Sequence, residues 1–155
     1  MADIERITYA CDFSPASLAA FPHALRIAKA TSAELTILHV MLGPGPLFVD
    51  AGYVPQQVWD DAYARVRAET DTEMDRLITR AVEAGVRAKA SIVEGAIAAD
   101  AIVKAAADAK SDLLVLGTHG RTGVARFFLG SVAGRVVATA PCPVLTVRPP
   151  EAPAA

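Results

Sequence analysis

Short apolar runs alternate along the chain with longer segments in which apolar residues recur at every third or fourth position. The short runs predict β-strands and the longer periodic segments predict helices. The run from Leu113 to Leu116 is apolar throughout, as is typical of a parallel strand that is covered on both faces. The predicted strands cover residues 4–12, 34–40, 87–95, 111–118 and 142–148.

The first predicted helix has a clear start but contains a proline. Ser14 followed by Pro15 is typical of a helix cap and first turn. Pro22 lies inside the helical pattern, where a proline removes a hydrogen bond and costs ~3 kcal/mol. Two structures remain open, a helix that bends at this proline or one whose first turn starts at Ser17. The apolar stripe of this helix consists of Leu18, Phe21, Leu25 and Ala28.

Three further helices are predicted at 56–84, 97–109 and 131–140. Gly85 follows the first of them, where glycine commonly ends a helix, and Pro141 stops the last. The residues that we place on one side of the 56–84 helix are Val58, Ala62, Val66, Met74, Leu77, Ile78, Ala81 and Val82. The other two helices are built around Ile97, Ile102 and Ala105, and around Val132, Val136 and Val137.

This alternation predicts an open α/β fold: one domain over residues 1–148, with a five-stranded parallel sheet, right-handed crossovers and helices on both faces. Segment 43–55, GPGPLFVDAGYVP, interrupts the alternation. Its prolines lack N–H donors, which favours a lid or surface loop over a phosphate-binding loop. The proline-rich tail, 149–155, is predicted to be disordered.

Charge and cysteine usage narrow the class of protein. A net charge of −2 at pH 7, without a basic block, argues against binding to nucleic acid or to an anionic membrane. No apolar run approaches the roughly 20 residues that span a bilayer, and the acidic N-terminal sequence is unlike a secretory signal. Cys11 and Cys142 lie far apart, which favours two buried thiols over a disulfide. We therefore expect a soluble cytoplasmic protein.

A glycine-rich loop, GTHGRTGVARFFLGS at 117–131, follows the fourth predicted strand. It has no Walker lysine, and a dinucleotide fingerprint would have to follow the first strand. Gly117 would leave room for a ligand across the strand end, and Gly120 would let main-chain N–H groups form an anion-binding nest. Gly130 and Ser131 begin a helix, whose free N–H groups favour an anion. Taken alone, each residue is better explained by a turn or a cap; their joint spacing favours a phosphate site.

Two charged residues complete this candidate site. Arg121, inside the loop, could add a charge-assisted hydrogen bond to a phosphate. Asp12 ends the first strand, and if the strand order is 3-2-1-4-5 it faces the loop across the crevice between strands 1 and 4. A carboxylate accepts hydrogen bonds, so it suits ribose hydroxyls better than phosphates. A role as a helix cap beside Ser14 explains Asp12 equally well.

The stretches TYACDFSPAS and DLLVLGTHGRTGVARFFLGSVAGRVVATAPCPVLTVRP resemble the ATP-binding branch of the universal stress protein family. The resemblance covers essentially the whole chain, and G-x2-G-x9-G-S is its specific motif. It implies a five-stranded parallel sheet in the order 3-2-1-4-5, binding of ATP or a related adenine nucleotide (ADP or AMP), and a homodimer. The dimer contact would use residues 143–148, the edge strand with Val144, Leu145 and Val147.

The same resemblance implies a role for each site residue. Asp12 would hold the ribose, and the backbone of Val40 would meet the adenine edge. The phosphates would be wrapped by Gly117, Gly120, Gly130 and Ser131, with a main-chain N–H from Val132. The Gly/Pro-rich segment 43–55 is individual to this chain, so the adenine side is less closely matched than the phosphate side.

Catalysis is not indicated by the spacing of any residues. His119 lies in the loop as an exposed residue between glycines, while His23 and His39 are explained by solvent exposure or packing. No Ser-His-Asp or paired-carboxylate arrangement is visible. We therefore favour a nucleotide-dependent regulatory module. A slow ATPase or nucleotide-transferring enzyme stays open, with any Mg²⁺ carried on bound ATP. The intact glycine motif argues against a nucleotide-free dimeric scaffold.

Overall fold

Strands and helices alternate along the part of the chain that the computed structural model describes, residues 3–42, 55–95, 97–119 and 129–150. Each predicted element is present there, with ends that differ from the prediction by a few residues. The elements are β1 Arg6–Ala10, α1 Pro15–Thr31, β2 Glu34–Leu42, α2 Gln56–Glu83, β3 Ala88–Gly95, α3 Ala98–Asp108, β4 Leu113–Gly117, α4 Ser131–Thr139 and β5 Val144–Val147.

The sheet has the order β3-β2-β1-β4-β5, and every pairing is parallel. This confirms the predicted architecture. The central strand is β1, in which Ile7 pairs with Leu35 of β2 on one side and with Leu113 of β4 on the other. β2 and β3 continue past the last β1 pair, Ala10 with Leu38, so the sheet has a step at its carboxyl end.

Two apolar clusters, one on each face of the sheet, follow from the alternation of side chains along the strands. Helices α1 and α2 cover one face, and α3 and α4 cover the other. The first cluster includes Ile7, Tyr9, Leu35, Ile37, Leu113 and Val115 from the sheet with Phe21, Ala24, Met74 and Leu77 from the helices. The second includes Ala10, Leu38, Leu114 and Leu116 with Ala99, Ile102, Ala106, Ala133 and Val136.

Helix α1 begins at Pro15 and continues through Pro22, which excludes the alternative in which its first turn starts at Ser17. The Ser14 hydroxyl caps it by accepting a hydrogen bond from the N–H of Ser17 at 3.2 Å. Pro22 is exposed, so its ring lies on the solvent side of the helix. The helical hydrogen bond that this proline cannot donate would have reached the carbonyl of Leu18, a residue that is itself partly exposed, where water can take its place.

Helix α2 does not bury its predicted stripe along its whole length. Val58, Val66 and Val82 are 53%, 52% and 60% exposed, and the buried residues of this helix begin only at Thr70. The reason is length: 28 residues of helix extend about 42 Å, whereas the nine residues of β2 extend about 30 Å. Val82 follows the buried Ala81 and so points about 100° away from the sheet.

The predicted buried residues of α3 and α4 also need correction. Ile97, Val132 and Val137 are half-exposed. Ile97 precedes the first turn of α3, and the two valines flank the inward-facing Ala133 and Val136 of α4. In the described part of the chain, no helix is both long enough and apolar enough to cross a membrane.

Asp112 joins the amino ends of β1 and β4. Its Oδ2 accepts hydrogen bonds from the N–H groups of Glu5 and Arg6, at 3.1 and 2.9 Å, and its Oδ1 lies 3.1 Å from Nη2 of Arg6. The hydrogen bond from the Arg6 guanidinium holds the pKa of the Asp112 carboxyl below its ordinary value of 3.8. A carboxyl whose pKa is lowered by folding stabilises the fold above its unfolded pKa, and this contribution is lost as the pH falls through the folded pKa.

Replacing Asp112 by asparagine should lower the melting temperature at pH 7 by about 1–3 °C, since one exposed ion pair is lost while the amide oxygen still accepts main-chain hydrogen bonds. The difference from the parent should shrink as the pH falls through the lowered pKa of Asp112. Asp108→Asn is the matched control, because its ion pair with Lys104 lies within α3 and links no strands. Equal losses in both variants, measured by circular dichroism, would contradict the strand-joining role.

Candidate functional site

The carboxyl ends of β1 and β4 lie side by side at the point where the chain leaves the sheet in opposite directions. After β1 the chain enters α1 on one face, and after β4 it continues to α4 on the other. A crevice of this kind is where open α/β sheets bind their ligands. The last β1–β4 pair, Ala10 with Leu116, brings Asp12 and Gly117 to this same edge.

Asp12 is half-buried at the turn between β1 and α1. Its Oδ1 accepts a hydrogen bond from the N–H of Ser14 at 3.0 Å, and its own N–H donates to the Ser17 hydroxyl at 3.3 Å. The carboxylate therefore helps to shape the turn into α1, although the helix cap itself is Ser14. This agrees in part with the helix-capping role that the sequence allowed for Asp12. The ribose contact of Asp12 stays a prediction.

Phe13 has the backbone conformation of a left-handed helix, with a φ of 61°. This conformation is uncommon for a bulky side chain and tends to occur at functional sites. The Phe13 ring stacks on the ring of His39, with centroids 4.7 Å apart and planes 28° apart. The His39 ring is buried, and its Nδ1 lies 2.7 Å from the carbonyl oxygen of Cys11. Since a carbonyl only accepts hydrogen bonds, Nδ1 carries the hydrogen.

Both cysteines are free thiols, as predicted, but they are not equally buried. Cys11 is buried, and its Sγ accepts the N–H of Phe13 at 3.3 Å. Burial raises the pKa of the Cys11 thiol, which disfavours the reactive thiolate, and Cys11 packs within the α1–α2 cluster. Cys142 is only half-buried, which corrects the expectation for that residue.

Val40 lies on the part of β2 that extends past the end of β1. Its side chain is partly buried against the α3–α4 cluster. Leu38 accepts the N–H of Cys11 at 2.8 Å, so the main-chain groups of every second residue of β2, including Val40, point toward β1. Because β1 ends at Ala10, the N–H and C=O of Val40 face the crevice.

Gly117 is required by an internal contact, which is a different reason from the one that the sequence suggested. A Cβ at this position would lie 2.7 Å from the carbonyl oxygen of Ala16 and 2.9 Å from the nitrogen of Ser17. The first turn of α1 therefore packs directly on the end of β4, and only glycine allows this approach.

Gly130 closes the far end of the loop against its near end. Its N–H donates to the carbonyl of Thr118 at 2.8 Å, and a Cβ on Gly130 would lie 3.0 Å from that oxygen. No side chain of a described residue caps α4, which starts at Ser131. The first two residues of this helix, Ser131 and Val132, are exposed, and their N–H groups lie at the end of the helix that is beside β4.

The remaining loop residues of interest are Gly120, Arg121 and His119. Gly120 and Arg121 lie outside the described residues, so their roles stay predictions. His119 lies beside the end of β4, with its Nδ1 2.9 Å from the Thr118 hydroxyl. Among the described residues there is no group of three or more histidine, cysteine, aspartate or glutamate side chains that could hold a metal ion.

Sequence reasoning missed two members of this site. Thr118 is buried and contacts both Gly130 and His119, yet it reads as an ordinary strand residue. His39 was explained by packing or solvent exposure, although a histidine between the apolar residues Leu38 and Val40 is a signal that a polar partner lies nearby.

Comparison with known proteins agrees with this architecture. Residues 3–148 match the model of the universal stress protein family. Universal stress protein MJ0531 of Methanocaldococcus jannaschii is 36% identical over 148 residues, covering 95% of this chain and 84% of that protein. Universal stress protein YxiE of Bacillus subtilis is 32% identical over 148 residues, covering 92% of this chain and 98% of that protein.

Solved structures show the same fold. The structure of MJ0577 from Methanocaldococcus jannaschii has a TM-score of 0.82 and 26% identity, covering 97% of this chain and all (100%) of that one. A universal stress protein in complex with cAMP has a TM-score of 0.71 and 27% identity, covering 96% of this chain and 100% of that one. The sheet order, the family match over residues 3–148 and these relatives lead to one conclusion: the chain belongs to the universal stress protein family.

Proposed function

We propose that the chain binds an adenine nucleotide, ATP or its relatives ADP and AMP, across the carboxyl ends of β2, β1 and β4. Occupancy of this site would make the protein a nucleotide-dependent regulatory module of the stress response. The universal stress protein in complex with cAMP, 27% identical to this chain, supports an adenine nucleotide as the ligand. The regulatory role rests on the absence of a catalytic arrangement in the sequence pattern and on the family.

The observation that carries the proposal is the start of α4, which no described side chain caps and which Gly130 holds against the end of β4. Free N–H groups at a helix start stabilise an anion by typically 0.3–1 kcal/mol, and by up to ~2 kcal/mol when the site is partly buried. Phosphates at this end would accept the N–H groups of Ser131 and Val132. Gly120 and Arg121, in the same loop, are proposed to complete the contact.

The other half of the ligand would lie along β1 and β2. Asp12, half-buried at the end of β1, supplies a carboxylate that can accept hydrogen bonds from ribose hydroxyls. The N–H and C=O of Val40 face the same crevice and suit the adenine edge, which carries both an acceptor and a donor. Mg²⁺, where present, would be held by the phosphates and water.

We also propose a homodimer through residues 143–148. Strand β5 lies at the edge of the sheet, with Val144 and Leu145 half-buried, and an open apolar edge favours association. The carbonyls of Pro143 and Val147 accept hydrogen bonds from β4, so Val144 and Thr146 direct their main-chain groups outward. Pairing of these groups with a twofold copy would close the edge.

ATP should raise the melting temperature more than GTP or NAD at equal concentration. A ligand at 100 times its dissociation constant adds about 2.7 kcal/mol, or about 5–10 °C for a chain of this size. Differential scanning fluorimetry measures the shift, and chromatography of the same samples detects any hydrolysis. Equal shifts with ATP and GTP would contradict the adenine assignment, and steady release of phosphate would favour the enzyme alternative.

Gly130→Val should lower ATP affinity by about 100-fold or more, because the side chain would force the Thr118 carbonyl away and misalign several phosphate donors worth about 1–2 kcal/mol each. Adenosine binding should change much less. Gly134→Ala is the matched control on the same helix, since among the described residues a Cβ there meets only Leu129 Cδ2, at 4.0 Å. Calorimetric titration decides: a folded Gly130→Val protein with parental ATP affinity would refute the phosphate site.

Asp12→Asn should weaken ATP and adenosine alike, by about tenfold, while leaving inorganic tripolyphosphate unaffected. The asparagine oxygen can still accept the Ser14 N–H, so the turn into α1 is preserved and the loss reports on the ribose contact. Titration with all three ligands is the measurement. A loss confined to ATP would move Asp12 away from the ribose.

Thr146→Pro should convert the dimer to a monomer, because proline removes an outward N–H from the edge strand without touching the β4 pairing. Thr146→Val, which keeps that N–H, should remain dimeric. Size-exclusion chromatography with light scattering at micromolar concentration gives the mass of each. A parent that is monomeric with and without ATP would overturn the dimer proposal.

A further inference from the structure

We propose that His39 is a positioning residue of the nucleotide site: by binding the Cys11 carbonyl it ends the β1–β2 ladder one hydrogen bond early and leaves the Val40 main chain open to the adenine edge. The adenine part of this inference rests on the proposed function. The ladder part concerns the ligand-free protein and stands on the contacts of His39 alone.

The ladder between β1 and β2 shows where the interruption lies. The N–H of Glu34 bonds to the carbonyl of Glu5, and four residues further along β2 the carbonyl of Leu38 accepts the N–H of Cys11, both at 2.8 Å. A regular parallel ladder would continue with the N–H of Val40 donating to the carbonyl of Cys11. In the described part of the chain that hydrogen bond is absent, and the Cys11 carbonyl accepts from Nδ1 of His39 at 2.7 Å.

Alternation along β2 fixes the direction of the released groups. The N–H of Leu35 donates to the carbonyl of Arg87, just before β3, so odd-numbered residues of β2 pair with β3. Leu38 and Val40 therefore direct their main-chain groups toward β1, which ends before reaching Val40. Val40 thus offers one donor and one acceptor, side by side, over the end of the central strand.

Adenine has the complementary pair of groups, an N6 amino donor beside a ring-nitrogen acceptor. Guanine reverses that pair on its corresponding edge, with the O6 acceptor beside the N1–H donor. The main chain of one extended residue can therefore distinguish the two bases, provided that its N–H is not already used inside the sheet. His39 contributes by occupying the Cys11 carbonyl, so that the Val40 N–H does not donate to it.

The surroundings of His39 hold the ring in place. The residue is only 6% exposed, and the Phe13 ring stacks on it. Phe13 has the positive φ that turns the chain out of the sheet directly after Cys11 and Asp12. The turn at Phe13 directs the chain away from β2, and His39 donates a hydrogen bond to the Cys11 carbonyl, which would otherwise lose its partner in the sheet.

Two substitutions separate the hydrogen bond from the volume of the ring. His39→Leu removes the donor, whereas His39→Asn places an amide N–H close to the position of Nδ1. In the ligand-free parent, we expect the Val40 amide to exchange with solvent at least about tenfold faster than the Met41 amide, which faces β3. In His39→Leu the Cys11 carbonyl is released to Val40, and the Val40 exchange should slow by about tenfold. His39→Asn should behave as the parent.

Binding gives the second measurement. His39→Leu should lose about tenfold in ATP affinity and most of its preference for ATP over GTP, while inorganic tripolyphosphate binds as in the parent. A merely structural role would weaken all three ligands together and would leave the exchange of Val40 fast. His39→Asn should restore both the affinity and the base preference.

The outcomes separate this inference from the proposed function. A parent whose Val40 amide is as protected as that of Met41 overturns the role of His39, even if no variant folds. A folded His39→Leu protein with parental base preference also overturns it. A parent with a fast-exchanging Val40 that binds no adenine nucleotide overturns the proposed function, while supporting the interruption of the ladder by His39.

Discussion

The first turn of α1 lies directly on the main chain at the end of β4, where Gly117 leaves room for the carbonyl of Ala16. This contact fixes the start of α1 against β4 as well as against β1, the strand that precedes it in the chain. The Tyr9 hydroxyl donates to the Ser17 carbonyl at 2.7 Å, which holds the same turn from the side of β1. A side chain at 117 would lift α1, and with it Asp12, away from the loop that follows β4.

The candidate site is therefore assembled from elements that are far apart in sequence and are each held by their own local bonds. The β1–α1 turn carries Asp12, the extended end of β2 carries Val40, and the start of α4 carries Ser131. A nucleotide bound across them would connect three separately held parts of the chain, so binding free energy would appear as added rigidity at the carboxyl edge of the sheet.

Sequence patterning was sufficient for the alternation of strands and helices, because parallel strands covered on both faces are apolar at nearly every position and helices show their own period. The strand order came from the resemblance to the universal stress protein family. Patterning could not supply the length of the sheet, so the exposed Val58 and Val66 were placed on a buried side. It also could not supply close approaches: Gly117 was recognised as necessary, but the carbonyl that requires it is a hundred residues away in sequence. The hydrogen bond of His39 was missed for the same reason, since its partner is the main-chain carbonyl of Cys11, 28 residues away in sequence.

The first half of α2 has a thermodynamic character of its own. Its buried residues begin at Thr70, and among the described residues a hydrogen bond from the Tyr63 hydroxyl to Glu94 links this half to β3. Because this half has so few buried residues among those described, we expect it to fray before the sheet unfolds. Trp59, the one tryptophan of the chain, lies in this segment. We therefore expect intrinsic tryptophan fluorescence to report on the fraying of this helix before it reports on the unfolding of the core.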